Sequence, residues 1–433
     1  MSKKVSVYTL GCKVNTYESE AVKKQFENHG YNCIDFDEFA DVYIINTCTV
    51  THLGDRKSRQ MIRRTKQINP ESILVVMGCY AQVAPSDINK ISEVDIIIGT
   101  DKKAHVYDAV AEFLTNRKKM NLVSDISSKK EFEELEVTSY EGRTRAFLKV
   151  QDGCNNFCSY CIIPYARGRI RSRSLESSLK EAHRLAQHGF SEIVLVGIHL
   201  ASYGKDTGES LIDLLKGLNE IDGISRIRMG SLEPTLFSDE FTNEIAKLSK
   251  LCRHFHLSLQ SGCDETLKRM NRKYKTSDYR NSVQRIRKFF PDAAITTDIM
   301  VGFPGETDEE FEKTLQFVKE ISFAEAHIFK YSVRKGTVAE KMENQILPDV
   351  KEDRSKRLAQ VTKKTEEDFL SSHIGKTVDV LFEREHKGIL GLYEGKTDNY
   401  ITVVAKSEKD VSGKICKVKI NSVKKGIADG EIL

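Results

Sequence analysis

The chain has 433 residues, enough for two or three domains. It carries 67 Lys and Arg against 63 Asp and Glu, a formal net charge of +4, so a nucleic-acid partner would have to meet a local basic patch rather than a basic whole. No apolar run is long enough to span a bilayer and the first residues read as a strand, so a cytoplasmic monomer with no membrane partner is expected, its ten cysteines serving as metal ligands or buried thiols rather than bridges.

In chain order, short apolar runs at Val5–Leu10, Asp41–Asn46, Ile73–Met77 and Val94–Ile98 predict buried parallel strands. Helices are predicted between them, including Glu18–His29 and Asp55–Gln67. This βαβ series over residues 1–115 predicts a Rossmann-like parallel α/β domain. Three of its strands run into a cysteine: Gly11-Cys12, Thr47-Cys48 and Gly78-Cys79. Open α/β sheets hold ligands beyond the carboxyl ends of their strands. Cys12, Cys48 and Cys79 are therefore either a three-thiolate site or three separate core cysteines, and the pattern alone leaves both open.

Residues 116–143 are polar and rich in charge, as suits an exposed linker. Within residues 144–372, a strand at Arg145–Gln151 leads to a loop holding Cys154, Cys158 and Cys161, spaced C-x-x-x-C-x-x-C. Electron-transfer clusters normally take four Cys ligands; three leave one iron open to a small molecule. A structural zinc site would want a fourth ligand nearby, and a disulfide framework does not suit a chain of this length and context. Three ordinary buried thiols are the bland alternative.

Further strands are predicted at Glu192–Val196, Arg226–Gly230, His254–Leu259, Ala294–Val301 and Ala326–Tyr331, with helices including Glu176–Gln187, Leu211–Leu218 and Asp308–Ile321. Six βα units predict a partial (β/α)6 barrel, since eight would close one. A charged helix over residues 351–372 leads into residues 373–433. There Thr377–Phe382, Gly388–Tyr393, Asn399–Ala405 and Cys416–Ile420 predict a small antiparallel β-barrel.

An iron without a protein ligand can chelate an amino acid through its amine and carboxylate. A sulfonium held that way can be cleaved by one electron, which is the chemistry of S-adenosylmethionine at iron–sulfur centres. Groups suited to hold the adenosyl moiety stand in the cluster loop and at the strand ends: Tyr160, Gly197, Ser258, Gln260, Asp298, Val301 and Gly302. No catalytic residue is assigned beyond the cluster ligands. Basic residues gather at Arg167, Arg169, Arg171 and Arg173 after the loop. They recur at Arg56, Arg59, Arg63 and Lys66 with helical spacing, and at Lys414, Lys417, Lys419, Lys424 and Lys425 in the tail. These are expected to meet RNA phosphates, although a charge run is also what any solvated face shows. Cys33, Cys252, Cys263 and Cys416 read as buried thiols, Cys263 being the one that follows a predicted barrel strand.

Thr9-Leu10-Gly11-Cys12-Lys13-Val14-Asn15-Thr16-Tyr17-Glu18-Ser19-Glu20, Asn46-Thr47-Cys48-Thr49-Val50 and Met77-Gly78-Cys79-Tyr80-Ala81-Gln82 resemble the amino-terminal domain of the radical-SAM methylthiotransferases. Asp152-Gly153-Cys154 through Cys161-Ile162-Ile163-Pro164-Tyr165-Ala166-Arg167-Gly168-Arg169 is similar to that family's radical-SAM core, and the tail resembles the RNA-binding TRAM domain. Within the family, Lys13-Val14-Asn15 resembles the branch acting on N6-threonylcarbamoyladenosine in tRNA. The branch acting on isopentenyladenosine usually has Gln-Met-Asn there.

The resemblance implies two 4Fe-4S clusters, on Cys12, Cys48 and Cys79 and on Cys154, Cys158 and Cys161. It implies two S-adenosylmethionine molecules per turnover, one methylating a sulfur at the first cluster and one cleaved at the second. The methylthio group would go to carbon 2 of the adenosine at position 37 in a tRNA anticodon arm, with flavodoxin or ferredoxin as electron donor. The alternatives are isopentenyladenosine tRNA or a ribosomal protein as substrate, or a non-catalytic iron–sulfur sensor that binds RNA. One departure stands out: many radical-SAM proteins carry Gly-Gly-Glu after the second strand, where this chain has Val196-Gly197-Ile198-His199-Leu200.

Overall fold

The computed structural model describes residues 2–50, 52–137, 140 and 142–433. The first apolar runs become β1 (Lys4–Thr9), β2 (Asn32–Cys33), β3 (Val42–Thr47), β4 (Ile73–Gly78), β5 (Ile96–Ile98) and β6 (Met120–Asn121) of one parallel sheet, in the order β2-β1-β3-β4-β5-β6. All six residues of β3 and of β4 are buried, because helices cover both faces of the sheet. Helix α1 (Lys13–Asn28) begins five residues before the expected start. Its inner face carries the polar Asn15, Glu18 and Ser19 beside Val14 and Tyr17, which hides the apolar period. Helix α2 spans His52–Ile68.

The chain then enters β7 (Arg145–Lys149) and a short antiparallel pair, β8 (Gln151–Asp152) and β9 (Arg171–Ser172), that brackets the cysteine loop. Strands β10 (Glu192–Val196), β11 (Arg226–Met229), β12 (Ser231–Leu232), β13 (His254–Leu257), β14 (Ala294–Val301) and β15 (Glu325–Lys330) follow. They pair in parallel as β7-β10-β11 and β12-β13-β14-β15, and only Gly230 separates β11 from β12. The result is an arc of six strand positions with β7 and β15 as its edges, the expected incomplete barrel.

The third unit is a closed five-stranded barrel of β16 (Thr377–Glu385), β17 (Leu392–Thr397), β18 (Thr402–Lys406), β19 (Ile415–Lys424) and β20 (Ile427–Ile432). Two strands differ from expectation. The run at Gly388–Tyr393 is a turn whose strand starts at Leu392, and Asn399–Tyr400 belong to the turn before β18. Strand β20 was hidden by its polar sequence Ile-Ala-Asp-Gly-Glu-Ile, of which one residue is buried.

The segment read as an exposed linker is not one throughout. Met120–Asn121 adds a strand to the first sheet, and Leu135, Val137 and Tyr140 are buried in a core shared with α1 and the barrel strands. The acids beside them have partners: Glu133 pairs with Lys103, Glu134 with Arg173 and Glu136 with Arg184. Alternating charges along a segment laid between two domains look like a solvated tether in sequence.

The small barrel caps the amino-terminal end of the arc. Arg226 donates to the carbonyls of Lys396 and Asp379 at 2.9 and 2.7 Å, and Arg228 donates to that of Asp398 at 2.8 Å. Tyr400, at φ 72°, projects from this turn among Arg145, Arg228 and Lys396, which stand 5.4, 4.8 and 4.6 Å from its ring.

Candidate active site

Cys48 and Cys79 follow β3 and β4 directly and Cys12 follows β1 after Leu10 and Gly11, so adjacent parallel strands deliver all three to one edge. A Cβ added to Gly11 would lie 3.1 Å from the Cys48 sulfur, and Cys79 lies in the electrostatic field of both other thiols. Asn15 ties the turn together, its Nδ2 donating to the carbonyls of Leu10 and Thr47 at 2.7 and 3.1 Å. Cys12 is exposed and Cys79 buried, and burial pushes the Cys79 thiol up to about 11.

The second set stands on the loop after β8. Gly153 adopts φ 71°, and a Cβ there would sit 1.8 Å from the Arg169 carbonyl oxygen, so no larger residue can open this loop. The backbone N–H of Asn156 reaches the Cys154 sulfur at 3.5 Å, and Arg272 Nη1 donates to the Cys158 sulfur at 3.4 Å. Burial raises Cys154 to about 11 and Cys161 to about 12. Among the described residues, no three His, Cys, Asp or Glu side chains converge on a single ion. A polynuclear cluster spreads its ligands over separate irons, so its thiolates need not meet at one point. Two sets of three clustered thiols, each beside an arginine donor, fit such clusters.

Around the second set lies a network that no motif announced. Glu233 accepts from Asn156 Nδ2 at 2.8 Å and pairs with His199 at 3.0 Å and Arg272 at 3.2 Å. His199 belongs to the run that replaces Gly-Gly-Glu. The signal available in the sequence was position: Glu233 and His199 both follow barrel strands.

Of the residues expected to hold the adenosyl group, Gly197, Ser258, Gln260, Val301 and Gly302 lie at or just beyond the carboxyl ends of strands, Asp298 stands within β14 and Tyr160 in the cysteine loop. Ser258 shares a hydrogen bond with Ser231 at 2.9 Å. Gln260 is held at φ 66° by its N–H to the Asp298 carbonyl and its own carbonyl from Met300, each 2.8 Å. Its buried Oε1 has no partner, leaving an acceptor for a bound donor. Gly302, at φ 70°, donates to Glu306 at 2.7 Å and presses on the Lys351 stem. Val301 is fully buried, and Gly197 abuts Gln151. Tyr160 is half-buried at the edge of Phe303. Asp298 instead pairs with His256 Nε2 at 3.2 Å, and His256 Nδ1 meets Thr296 Oγ1 at 3.0 Å. With His327 beside His256, the inner surface of the arc is polar.

Between the two cysteine sets lies a buried charge network. Glu18 pairs with Lys149 at 2.8 Å and Lys103 at 3.3 Å, and Arg167 Nη2 donates to it at 3.1 Å. Asp152 accepts from Lys149 at 2.6 Å and Arg167 at 3.2 Å. Burial alone would raise the Glu18 carboxyl, but Arg167, Lys103 and Lys149 outweigh it and hold it down at about 2. A second tie joins Arg334 to Asp55 at 2.9 Å, and Arg334 also donates to Thr49.

This network corrects the basic run after the loop. Arg167 is 0% and Arg171 3% exposed. Arg171 donates to the carbonyls of Arg167 and Arg169 at 2.9 and 3.1 Å, and Arg173 pairs with Glu134 and Glu181. None of these three can meet a phosphate, and only Arg169, stacked 4.7 Å over Phe157, is exposed. On α2, Arg56 and Arg63 are exposed, Arg59 is held by the Tyr80 hydroxyl at 3.0 Å, and Lys66 turns to Asp95. Lys417, Lys419 and Lys424 are exposed on β19, where Lys417 and Lys419 alternate with the buried Val418 and Ile420. Cys263 is buried and donates to Glu265 at 2.8 Å, away from both cysteine sets.

Lys13, next to Cys12, is exposed yet faces Tyr400, Arg145, Arg228 and Glu192 across the lumen of the arc. The other lumen cations are taken, Arg145 by Glu383 at 2.8 Å and Arg228 by Glu192 at 2.7 Å. The Lys13 ammonium makes no hydrogen bond or ion pair among the described residues.

Comparison with known proteins places each unit. Residues 4–99 match the uncharacterized protein family UPF0004, residues 148–318 the radical SAM superfamily and residues 371–433 the TRAM domain. The chain is 43% identical to the threonylcarbamoyladenosine tRNA methylthiotransferase MtaB of Bacillus subtilis, over 96% of this chain and 93% of that one. It is 40% identical to the Aquifex aeolicus protein of the same name, over 96% and 100%. It is 38% identical to the tRNA-2-methylthio-N(6)-dimethylallyladenosine synthase of Clostridium tetani, over 98% and 95%. Among solved structures, the radical S-adenosylmethionine methyltransferase TsrM of Kitasatospora setae aligns with a TM-score of 0.55 at 15% identity, over 76% of this chain and 73% of that one, a likeness of fold.

Proposed function

This chain belongs to the radical-SAM tRNA methylthiotransferase family, and from that premise we propose that it adds a methylthio group to carbon 2 of N6-threonylcarbamoyladenosine at position 37 of tRNA. Cys154, Cys158 and Cys161 would hold one 4Fe-4S cluster and Cys12, Cys48 and Cys79 a second. When bound, these clusters and two S-adenosylmethionine molecules supply one-electron sulfonium cleavage and the methylthio sulfur. Gln260, Ser258 and Gly302 would hold the adenosyl group at the carboxyl rim, a reading supported by the unpartnered Gln260 Oε1.

The observation that carries the choice of substrate is Lys13. A threonylcarbamoyl group ends in a carboxylate, and a dimethylallyl group is apolar. An unpaired ammonium facing the lumen of the arc is a counter-charge for the first and an unmatched charge beside the second. The target carbon lies within a stacked anticodon loop, so the base must leave the stack to reach the lumen. The exposed lysines of β19 and Arg56, Arg63 and Arg169 would hold the arm by its phosphates. We take residues 1–115, 144–372 and 373–433 as the functional units, in a cytoplasmic monomer reduced by a flavodoxin or ferredoxin.

The test is nucleoside mass spectrometry of tRNA from a deletion strain. Loss of 2-methylthio-N6-threonylcarbamoyladenosine, with its unthiolated precursor accumulating, is expected. Persistence at wild-type level would overturn the substrate. Anaerobic incubation with dithionite and S-adenosylmethionine should yield 5′-deoxyadenosine, and its absence would remove the enzymatic reading.

A further inference from the structure

Arg167 is the group through which the two halves of the molecule touch a cluster ligand. It comes from the core, six residues after Cys161, yet its Nε donates to the Cys79 sulfur of the amino-terminal domain at 3.3 Å. Its Nη2 donates to Asn15 Oδ1 at 2.6 Å, and Asn15 Oδ1 stands 3.8 Å from the Cys12 sulfur. The guanidinium is fully buried and fixed by Glu18 and Asp152. One rigid fork therefore contacts one cysteine of the set directly and a second through Asn15.

We infer that Arg167 is a positioning residue that sets the reduction potential of the amino-terminal cluster and makes that potential depend on docking of the two domains. The inference rests on the two-cluster reading. A hydrogen bond to a cluster sulfur stabilises the more negative, reduced state and so raises its potential. The donor belongs to the other domain, so the cluster acquires this setting only when α1 is seated against β7. Arg272, donating to the Cys158 sulfur at 3.4 Å, does the corresponding work for the second cluster from within the core itself. The two clusters thus have separate donors, which makes them separately addressable.

The test is an anaerobic redox titration followed by electron paramagnetic resonance on the holoprotein and on Arg167→Lys. Lysine keeps the charge that Glu18 and Asp152 require but cannot place a donor on Cys79 while reaching both acids. The expected result is a tenfold lower ratio of reduced to oxidised form for one cluster at fixed potential, which is about 59 mV for a one-electron couple. The wave of the other cluster should stay in place. The double variant Arg167→Met/Glu18→Gln removes both buried charges together and should shift the same wave in the same direction. Two loaded clusters with neither wave moved in either variant would overturn the role of Arg167, as would equal shifts of both waves, the mark of a general structural effect. A single wave in the wild-type protein would instead overturn the two-cluster reading itself.

Discussion

Tyr400, on a turn of the carboxyl-terminal barrel, lies flat on His254 at the foot of β13, with ring centroids 4.7 Å apart and planes 15° from parallel. The TRAM domain thus supplies a stopper for the floor of the arc. Burial alone would raise the Tyr400 phenol, but Arg145, Lys13 and Lys396 pull it below its usual value. The ring also screens three cations from one another. Tyr400→Ala should cost about 3–5 kcal/mol and loosen the barrel from the core. Denaturant unfolding and hydrogen exchange across residues 375–433 would register both.

Glu18 is the acid on which the interdomain network turns. Glu18→Gln leaves Lys103, Lys149 and Arg167 short of a counter-charge and should cost about 3–5 kcal/mol. The pH dependence has a definite sign. The folded carboxyl sits near 2, below its ordinary 4.5, so its stabilisation is fully present above pH 4.5 and is lost as pH falls toward 2. The stability gap between wild type and Glu18→Gln, measured by urea unfolding, should shrink through that window and stay constant between pH 5 and 7.

Replacing Cys12, Cys48 and Cys79 together by Ala should lower the iron content of anaerobically purified protein from about eight to about four per chain. Replacing Cys154, Cys158 and Cys161 should lower it equally and also abolish 5′-deoxyadenosine formation. Iron analysis and product chromatography separate the two sets.

Lys417→Ala, Lys419→Ala and Lys424→Ala should each weaken tRNA binding without regard to sequence and reduce the salt slope by about 1. Arg171→Ala should leave that slope unchanged, because its guanidinium is spent on backbone carbonyls. Filter binding at several salt concentrations measures both.

The sequence made the parallel strands and the cysteine positions readable, since buried strands are apolar runs and Cys12, Cys48 and Cys79 stand just beyond three of them. It could not show which arginines were free. Arg167, Arg169, Arg171 and Arg173 alternate like a phosphate-binding edge, yet three of them turn inward: Arg167 to Glu18 of α1, Arg171 to Asp152 of β8, and Arg173 to Glu134 and to Glu181 eight residues on. Long-range pairing leaves no local period. For the same reason Glu233, Asn156 and Arg272 carry no local signal around the second cysteine set, and nothing in the run around Lys13 shows that it faces Tyr400.

Leu135, Val137 and Tyr140 fill the seam between α1 and the barrel strands, and the Tyr17 hydroxyl donates to the Leu135 carbonyl at 2.8 Å. Those three side chains behave as mortar and not as rope. Their spacing and register cannot drift as those of a flexible tether can, and a cut or insertion there would unseat both walls at once. Splitting the polypeptide into a front piece and a rear piece at this place would yield two fragments with raw apolar sides, neither able to stand without the other.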